Sequence, residues 1–243
     1  MIEEREEVKQ KAFENYLDST PWPQNDKWHE ETYRKIYNTV LKILNEANTN
    51  STTVILNAGS GGTIYPTKGK IIHLDLIDTY IKKFNDYVVA SIDNIPFPDK
   101  TFDIAICVGS VINYADYQKS IYEFARILKP RGKLIIEFER SNSGEFLFTK
   151  KHHKKLFLQK YNYNEQEHLL WLYNEKVIIR TLKHYGFSIL KKQRFHSFST
   201  LLNRFGLKEK NAAKYIKFDK ILFPCSYFLA HNCILLAEKS LEK

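Results

Sequence analysis

The glycine-rich stretch VILNAGSGGT, residues 54–63, carries the clearest binding chemistry in this sequence. An apolar run leads straight into three glycines and a serine: Gly59, Ser60, Gly61 and Gly62. Glycines at a strand end let the backbone turn tightly beside a ligand, and the exposed N–H groups suit its polar or anionic end. Asn57 adds a polar side chain just before this turn. The stretch predicts a ligand-binding turn, with a plain glycine-rich turn as the alternative.

Spacing distinguishes the nucleotide-binding motifs that such a turn could represent. A P-loop needs a lysine directly after its last glycine, and here the next lysine is Lys68, beyond Pro66. A dinucleotide fingerprint needs a glycine at position 64, which is Ile64. Asp75 ends the following apolar run, and a carboxylate at such a strand end can accept hydrogen bonds from both hydroxyls of a ribose. The pattern therefore favours a nucleoside-containing ligand outside these two classes.

The elements that position these residues follow from the spacing of apolar side chains. Five short apolar runs are typical of buried parallel strands: 53–58, 70–76, 87–92, 102–108 and 133–139. Helical spacing is found at 30–46, in the crossover before the fifth run, and at 174–185, where Asn174 is the expected N-cap and Gly186 the expected C′ residue. Two further strands are predicted at 187–192 and 232–239. The β-α-β crossover predicts an α/β fold with a mostly parallel sheet.

Several ordered stretches resemble one family. They are LNAGSGG (56–62), HLDL (73–76), SIDNIPFPDKTFDIAICVGSVINYAD (91–116), ILKPRGKLIIEF (127–138) and NEKVIIRTLKHYGFSIL (174–190). In these the sequence resembles the class I S-adenosylmethionine-dependent methyltransferases, of the methyltransferase type 11 kind. The resemblance implies a Rossmann-like, seven-stranded, mostly parallel sheet with helices on both faces. It also implies a methyltransferase domain over residues 30–243, with an N-terminal helical cap over 1–29 that carries Tyr16, Trp22 and Trp28.

The resemblance further implies a cofactor, S-adenosylmethionine, with S-adenosylhomocysteine as its product, at the carboxyl ends of the strands. The expected cofactor-binding residues are Asn57, Gly59, Ser60, Gly61, Gly62, Asp75, Ser91, Ile92, Asp93, Cys107, Val108, Gly109, Ser110 and Asn113. The sequence departs from the family pattern in three ways. Asn57 replaces the usual acidic residue, and Ser91 stands at the adenine-amino position, with Asp93 two residues later. The linker from Gly62 to the second strand is so short that the usual helix there must be short or missing.

Methyl transfer from a sulfonium is an in-line displacement with an activated leaving group, so alignment and water exclusion are the protein's main tasks. A general base is needed only for an acceptor that is protonated at neutral pH. Tyr114, Glu139 and His196 are the candidate catalytic residues, and His196 is expected to titrate near neutral pH. Glu139 and Arg140 either bind a polar acceptor together or form a structural ion pair with each other.

The segment 141–173 shows no strong helical or strand period and mixes aromatic residues with the lysine cluster at 150–155. It predicts a mobile lid over the acceptor site that suits a planar, aromatic or anionic small molecule. Residues 141–243 hold 19 Lys and Arg against 8 Asp and Glu, so an RNA or protein acceptor docked on this half stays open. A catalytically silent cofactor-binding partner protein is the third alternative.

The composition is that of a globular protein: 243 residues, 43% hydrophobic, with only 9 Gly and 7 Pro. Collagen-like and disordered classes are excluded. Cys107, Cys225 and Cys233 form no CxxC pair, so we expect no metal site and a reducing compartment. The charged N-terminus lacks a signal-like apolar segment, and Pro224 interrupts the most apolar stretch, 221–237. These features predict a cytoplasmic protein without a membrane span and leave its oligomeric state open.

Overall fold

The structure is a computed structural model that describes residues 2–17, 22, 26–152, 154–163, 166–207, 209–219 and 226–241. Pro224 and Cys225 lie outside the described residues.

The strands form one large sheet and one separate hairpin. They are β1 (Val54–Ala58), β2 (Lys70–Asp75), β3 (Tyr87–Val89), β4 (Phe102–Cys107), β5 (Leu128–Glu139), β6 (Leu156–Tyr163), β7 (Gln166–Tyr173), β8 (Phe187–Phe195) and β9 (Asn232–Lys239). The seven-stranded sheet has the order β3-β2-β1-β4-β5-β9-β8, in which β9 runs antiparallel to both neighbours and β1 to β5 are parallel. The predicted α/β fold and its mostly parallel seven-stranded sheet are confirmed.

Helices lie on both faces of this sheet. They are α1 (Ile2–Leu17), α2 (Lys27–Glu46), α3 (Asp78–Ile81), α4 (Tyr117–Ile127), α5 (Glu175–His184), α6 (Phe198–Arg204), α7 (Glu209–Ala212) and α8 (Ile216–Asp219). Short 3-10 helices occupy Val111–Tyr114, Gly144–Phe146, Ala213–Tyr215 and Tyr227–Leu229. Among the helices of the described residues, none is long and apolar enough to cross a membrane.

Helix ends follow their capping residues. The Asp26 carboxylate accepts from the backbone N–H of Trp28 at 2.8 Å and starts α2 at Lys27, so the boundary predicted at residue 30 falls inside this helix. The predicted caps of α5 are confirmed. Asn174 accepts from Lys176 N–H at 3.0 Å, and Gly186 follows the helix with φ +82°.

The period-two alternation of the strands divides the core between the two faces of the sheet. On one face, Ile104 and Ile106 of β4 pack against α2 through Ile36 and Val40. On the other, the alternate β4 residues join a larger cluster built from α4, α5 and the β6–β7 hairpin. Each face therefore buries its own apolar layer, and the strand ends are left to form the site.

Two expectations about connecting segments have different outcomes. No helix separates Gly62 from β2, which confirms that the usual helix is missing there. No strand was predicted within 141–173, whereas the structure has β6 and β7 paired there as an antiparallel hairpin from Leu156↔Tyr173 to Tyr163↔Gln166. Its inward residues, among them Leu170 and Leu172, are buried, so packing fixes strands whose mixed sequence shows no clear period.

Candidate functional site

One cavity opens at the carboxyl ends of β1 to β4 and is partly covered by α1 and α2. Its wall includes twelve of the residues predicted from the sequence: Asn57, Gly59, Ser60, Gly61, Asp75, Ser91, Ile92, Val108, Gly109, Ser110, Tyr114 and Glu139. In parallel α/β sheets this edge is where ligands bind. The cavity is the candidate functional site.

The glycine turn after β1 has a backbone that only glycine adopts easily. Gly59 and Gly61 have φ of +67° and +50°. The N–H groups of Gly59 and Ser60 both donate to the carbonyl oxygen of Leu74, at 2.8 and 3.0 Å, which clamps the turn against the end of β2. A Cβ at Gly59 would lie 2.4 Å from Val111 Cγ2, so this glycine also permits close packing against the β4 loop.

Asp75 stands beside this turn. Its Oδ2 accepts from Gly61 N–H at 2.7 Å, and its Oδ1 accepts from Ile77 N–H at 3.1 Å. A carboxylate has about four lone-pair sites, so each oxygen keeps a site for a second donor. Burial raises the pKa of Asp75 above its ordinary value, against the opposing effect of these backbone hydrogen bonds. Asp75 is thus a fixed acceptor whose carboxylate faces the cavity.

Asn57, which replaces the expected acidic residue, is tied into the turn. Its amide nitrogen donates to Ser60 Oγ at 3.2 Å and to the Thr63 carbonyl at 3.1 Å. Ser60 Oγ in turn lies 2.7 Å from Nδ1 of His73. Burial, and then the positive charge of Lys83, lowers the pKa of His73 to about 4, so His73 is neutral at pH 7. Neutral groups therefore support the glycine turn from below.

The third wall of the cavity comes from the segments after β2 and β3. Ile77, Ser91 and Ile92 line it and give a mainly apolar slot next to Asp75. Asp93, expected as a second cofactor contact, is not on the wall. It forms an ion pair with Lys9 of α1, 2.9 Å from Nζ to Oδ2, which turns its carboxylate toward that helix.

A buried carboxylate holds the loop after β4. Glu137 Oε2 accepts from the backbone N–H groups of Gly109 and Ser110, at 3.0 and 2.7 Å. Its Oε1 accepts from the Asn232 amide at 2.8 Å. Burial raises the pKa of Glu137 to about 7, against these hydrogen bonds and with a contribution from the charge of Glu139.

Glu139 and His231 form the main polar pair on the far wall of the cavity. His231 Nε2 lies 3.2 Å from Glu139 Oε2, and Ser110 Oγ donates to Glu139 Oε1 at 3.0 Å. Burial would raise the pKa of Glu139, but the charge and hydrogen bond of His231 outweigh it and, with Ser110, lower that pKa. Glu139 is therefore an anion at neutral pH.

Aromatic side chains from the N-terminal helices complete this end. Tyr16, Trp22 and Trp28 all line the cavity. The hydroxyls of Tyr16 and Tyr114 are 3.3 Å apart, and burial raises the pKa of both, so both stay protonated at neutral pH. This end of the cavity thus offers flat apolar faces around one carboxylate.

Several predicted residues lie off the cavity wall, and the structure gives a reason for each. Gly62 has φ +74° and turns the chain away beside Tyr80. Cys107 is fully buried in the core, where burial raises its thiol pKa. Asn113 is a loop anchor, because its amide donates to the carbonyls of Trp171 and Glu139 at 2.6 and 3.2 Å.

The predictions made for His196 need correction. Its ring stacks on Trp28 at 4.4 Å and its Nε2 lies 2.8 Å from Thr32 Oγ1, behind the cavity wall. Burial, helped by the charge of His231, lowers its pKa well below the ordinary value, so the expectation of titration near neutral pH is wrong. His196 packs beneath Trp28.

Arg140 does not join Glu139 in the cavity. Successive strand residues point to opposite faces, and the Arg140 side chain is 1% exposed on the other side. There its guanidinium lies 3.5 Å from Glu175 and donates to the carbonyls of Ala230 and Phe228. Both alternatives raised by the sequence paired Arg140 with Glu139, and both are wrong, because the ion pair of Arg140 is with Glu175.

Sequence reasoning missed His231 and His29, both on the cavity wall. His231 directly precedes β9, and β9 pairs with β5 so that Asn232 is opposite Glu139. The register that brings His231 to Glu139 joins strands that are far apart in sequence, and no local pattern signals it. Asp26 and His29 are three residues apart at the start of α2, with 3.0 Å between Oδ2 and Nδ1. This pair could have been predicted from the sequence, because side chains three residues apart on a helix are neighbours.

The basic C-terminal half contributes little to the cavity. Among the described residues on its wall, Lys9 is the sole Lys or Arg. No described residue of 141–173 lies on this wall. The cluster at 150–155 is outside the site, and its His153 lies beyond the described residues. Within the same described part of the chain, no group of three or more His, Cys, Asp or Glu is arranged to hold a metal ion.

Residues 56–136 match the family model of a methyltransferase domain. An uncharacterized protein of Methanocaldococcus jannaschii is 30% identical over 129 residues, which cover 46% of this chain and 57% of that protein. A ubiquinone/menaquinone biosynthesis C-methyltransferase of Rickettsia massiliae is 36% identical over 78 residues, 32% of this chain and 29% of that protein. The chain therefore spans little more than half of the first relative and under a third of the second.

A similar solved structure is the 1,6-didemethyltoxoflavin-N1-methyltransferase of Burkholderia thailandensis with bound 1,6-didemethyltoxoflavin and S-adenosylhomocysteine. It superposes with a TM-score of 0.61 over 98% of this chain and 91% of that one, at 13% identity. At this identity the likeness concerns the fold.

Proposed function

We propose that this chain, which carries a methyltransferase domain of the class I S-adenosylmethionine-dependent family, transfers a methyl group from S-adenosylmethionine to an oxygen or nitrogen of a small-molecule acceptor. One observation carries the proposal. A single cavity has a glycine turn with Asp75 at one end, and Glu139 with Tyr16 and Tyr114 at the other. Those two ends suit a nucleoside cofactor and a polar, planar acceptor.

The donor set fits the cofactor. The Asp75 oxygens have lone pairs left for two ribose hydroxyls, and Ile77 and Ile92 offer apolar faces for a purine. The positive φ of Gly59 and Gly61 brings backbone close to where the amino-acid portion would lie. Asn57 supplies a neutral amide there. When bound, S-adenosylmethionine supplies an electrophilic methyl group on a sulfonium whose leaving group is already activated.

The protein's own contribution is alignment and exclusion of water. Trp22 and Trp28 cover the cavity from the N-terminal side, and Tyr16 reaches Tyr114 from α1. Effective molarity gained by holding two reactants in line contributes several kcal/mol to such a displacement. A small acceptor is favoured over RNA, because a single Lys or Arg is found among the described wall residues, and it is paired with Asp93.

Oxygen or nitrogen acceptors are favoured by the anionic Glu139, which accepts hydrogen bonds from O–H or N–H groups. The Burkholderia enzyme is named an N1-methyltransferase, which is in keeping with this class. The Rickettsia protein is named a C-methyltransferase, but its match covers only 32% of this chain and 29% of that protein.

The test is calorimetry of the full chain with S-adenosylmethionine and S-adenosylhomocysteine, followed by measurement of S-adenosylhomocysteine formed with pools of small phenols, amines and N-heterocycles and, separately, with RNA. We expect binding of both cofactor forms and product only with small molecules. Lack of binding would refute the proposal, and product with RNA would replace the acceptor class. Binding with no product from any pool would favour a silent partner protein.

A further inference from the structure

The polar pair at the acceptor end continues beyond the cavity. His231 stands between two carboxylates: its Nε2 is 3.2 Å from Glu139 Oε2, and its Nδ1 is 3.9 Å from Glu145 Oε2. Glu139 and His231 are on the cavity wall, while Glu145 is outside it. Glu145 also accepts from the hydroxyl of Tyr161 in β6. Three proton-binding side chains thus run from the wall of the cavity to the segment after β5.

We infer that Glu139, His231 and Glu145 form a relay that accepts the proton lost by the methyl acceptor and carries it out of the cavity. The inference rests on the proposed function and names its acceptor class: a planar molecule with an acidic O–H or N–H. On transfer, the O–H or N–H bond breaks and its electron pair forms the new bond to the methyl carbon. The carbon–sulfur bond breaks with its pair kept on sulfur, and the proton goes to Glu139.

The geometry supports this direction of transfer. Glu139 is held as an anion, so one of its oxygens can accept the hydrogen bond of an acceptor in the cavity. An imidazole has two nitrogens and can take a proton at one while it loses the other. The 3.9 Å step to Glu145 exceeds a direct hydrogen bond, so it needs a small ring rotation or one bridging water.

Other charged or titratable groups face the relay and must be included in any pH argument. Those that face Glu139 are Tyr16, His29, Tyr114, Glu137 and His168. His196 faces His231 from behind Trp28 and is neutral. The tyrosines remain protonated, and both Glu137 oxygens already accept hydrogen bonds, from Asn232 on one side and from Gly109 and Ser110 on the other. The contact that continues to Glu145 is the one between Glu139 and His231.

Carbon-13 and nitrogen-15 NMR of the histidine rings in the full chain tests the relay without any acceptor. Glu139→Gln and Glu145→Gln should each shift the titration of His231 to lower pH, because each removes a negative charge that favours the imidazolium. Exposed Glu14→Gln is the matched control and should leave it in place. A His231 titration that is unmoved by Glu145→Gln overturns the relay.

The second readout uses matched acceptors with S-adenosylmethionine: a phenol such as 2-naphthol, which loses a proton on methylation, and an azine of the same shape such as isoquinoline, which does not. His231→Gln should lower kcat/KM for the phenol about 100-fold at pH 7 and leave that for the azine within a few fold. Equal losses on both overturn the relay and leave a structural role. His184→Gln, an exposed histidine on α5, should change neither value.

Failure of the proposed function is distinguishable. Calorimetry that finds no binding of S-adenosylhomocysteine by the unmodified chain rejects the methyltransferase activity. The relay alone is rejected if His231→Gln still binds S-adenosylhomocysteine and the His231 titration is unmoved by Glu145→Gln. If neither 2-naphthol nor isoquinoline is methylated, the NMR titrations decide. A His231 titration that shifts in both Glu139→Gln and Glu145→Gln supports the relay.

Discussion

Glu137 and Asn232 lie diagonally across the antiparallel pairing of β5 with β9, and the Asn232 amide donates to Glu137 Oε1 at 2.8 Å. Because the other Glu137 oxygen binds the N–H groups of Gly109 and Ser110, one buried carboxylate fixes the β4 loop against two strands. The loop that lines the acceptor side of the cavity is therefore positioned by an ionisable group.

This arrangement predicts a pH-dependent stability difference between the unmodified chain and Glu137→Gln. Burial raises the pKa of Glu137 from 4.5 to about 7, so folding favours its protonated form. Its contribution to stability is complete below pH 4.5 and is lost as pH rises toward 7, by about 3 kcal/mol at most. Glutamine does not titrate. The unfolding free energy of the unmodified chain should fall relative to that of the variant from pH 5 to pH 7.

Urea unfolding at pH 5, 6, 7 and 8 measures that difference. The comparison with the variant is needed because His73 has the opposite effect. Its pKa is lowered to about 4, so its contribution to stability increases as pH rises from 4 to 6.5. Exposed Glu14→Gln is the control. A difference between Glu137→Gln and the unmodified chain that stays constant across this range would contradict the prediction.

The sequence predicted the sheet and the cofactor end of the cavity because both depend on local signals. Apolar runs mark the strands, and Gly59 and Asp75 stand at strand ends where the topology must bring them together. The acceptor end depends on the register of β5 with β9 and on the N-terminal helices. His231 and Tyr16 reach it through contacts distant in sequence, while His196, close to a predicted strand end, is turned behind Trp28.

Asp75→Ala should weaken S-adenosylmethionine binding about 10- to 100-fold, because a hydrogen bond to a charged group contributes about 1.5 to 3 kcal/mol. Asp75→Asn keeps the shape and one acceptor oxygen, so its loss should be smaller. Calorimetry gives the affinities. Thermal unfolding checks the turn, since Gly61 and Ile77 also donate to this carboxylate. Unchanged affinity in Asp75→Ala would remove Asp75 from the cofactor site.

Gly59→Ala should reduce S-adenosylmethionine binding more than tenfold. Its new Cβ meets Val111 Cγ2 at 2.4 Å, and φ of +67° is already unfavourable for alanine. Gly186→Ala is a matched control, with φ +82° and no atom within 4 Å of the new Cβ. It should cost about 1 kcal/mol of stability with binding unchanged. If calorimetry finds that both variants bind S-adenosylmethionine equally well, then Gly59 is needed only for the backbone conformation of the turn.

The last prediction concerns hydrogen exchange in 141–173, the segment expected from the sequence to be a mobile lid. The β6–β7 ladder is tied to its neighbours, because Asn15 of α1 donates to the Glu167 carbonyl at 2.8 Å and Asn113 donates to that of Trp171. Its paired amides should therefore exchange slowly in the free protein. The described residues of 147–155 precede the hairpin, their backbone N–H groups make only turn hydrogen bonds among themselves and their neighbours, and they include Phe148, which is 83% exposed, so their amides should exchange fast.

Ligands then separate a lid from a fixed surface loop. None of the described residues of 141–173 lines the cavity, so S-adenosylhomocysteine alone should leave exchange in 147–155 unchanged. If 147–155 closes over the acceptor end, exchange of its amides should slow markedly when an acceptor is added together with S-adenosylhomocysteine. Slowing by S-adenosylhomocysteine alone would assign the stretch to the cofactor end. Fast exchange along both strands would instead contradict the hairpin, since the ladder hydrogen bonds of Leu156–Tyr163 and Gln166–Tyr173 are what should hold these amides.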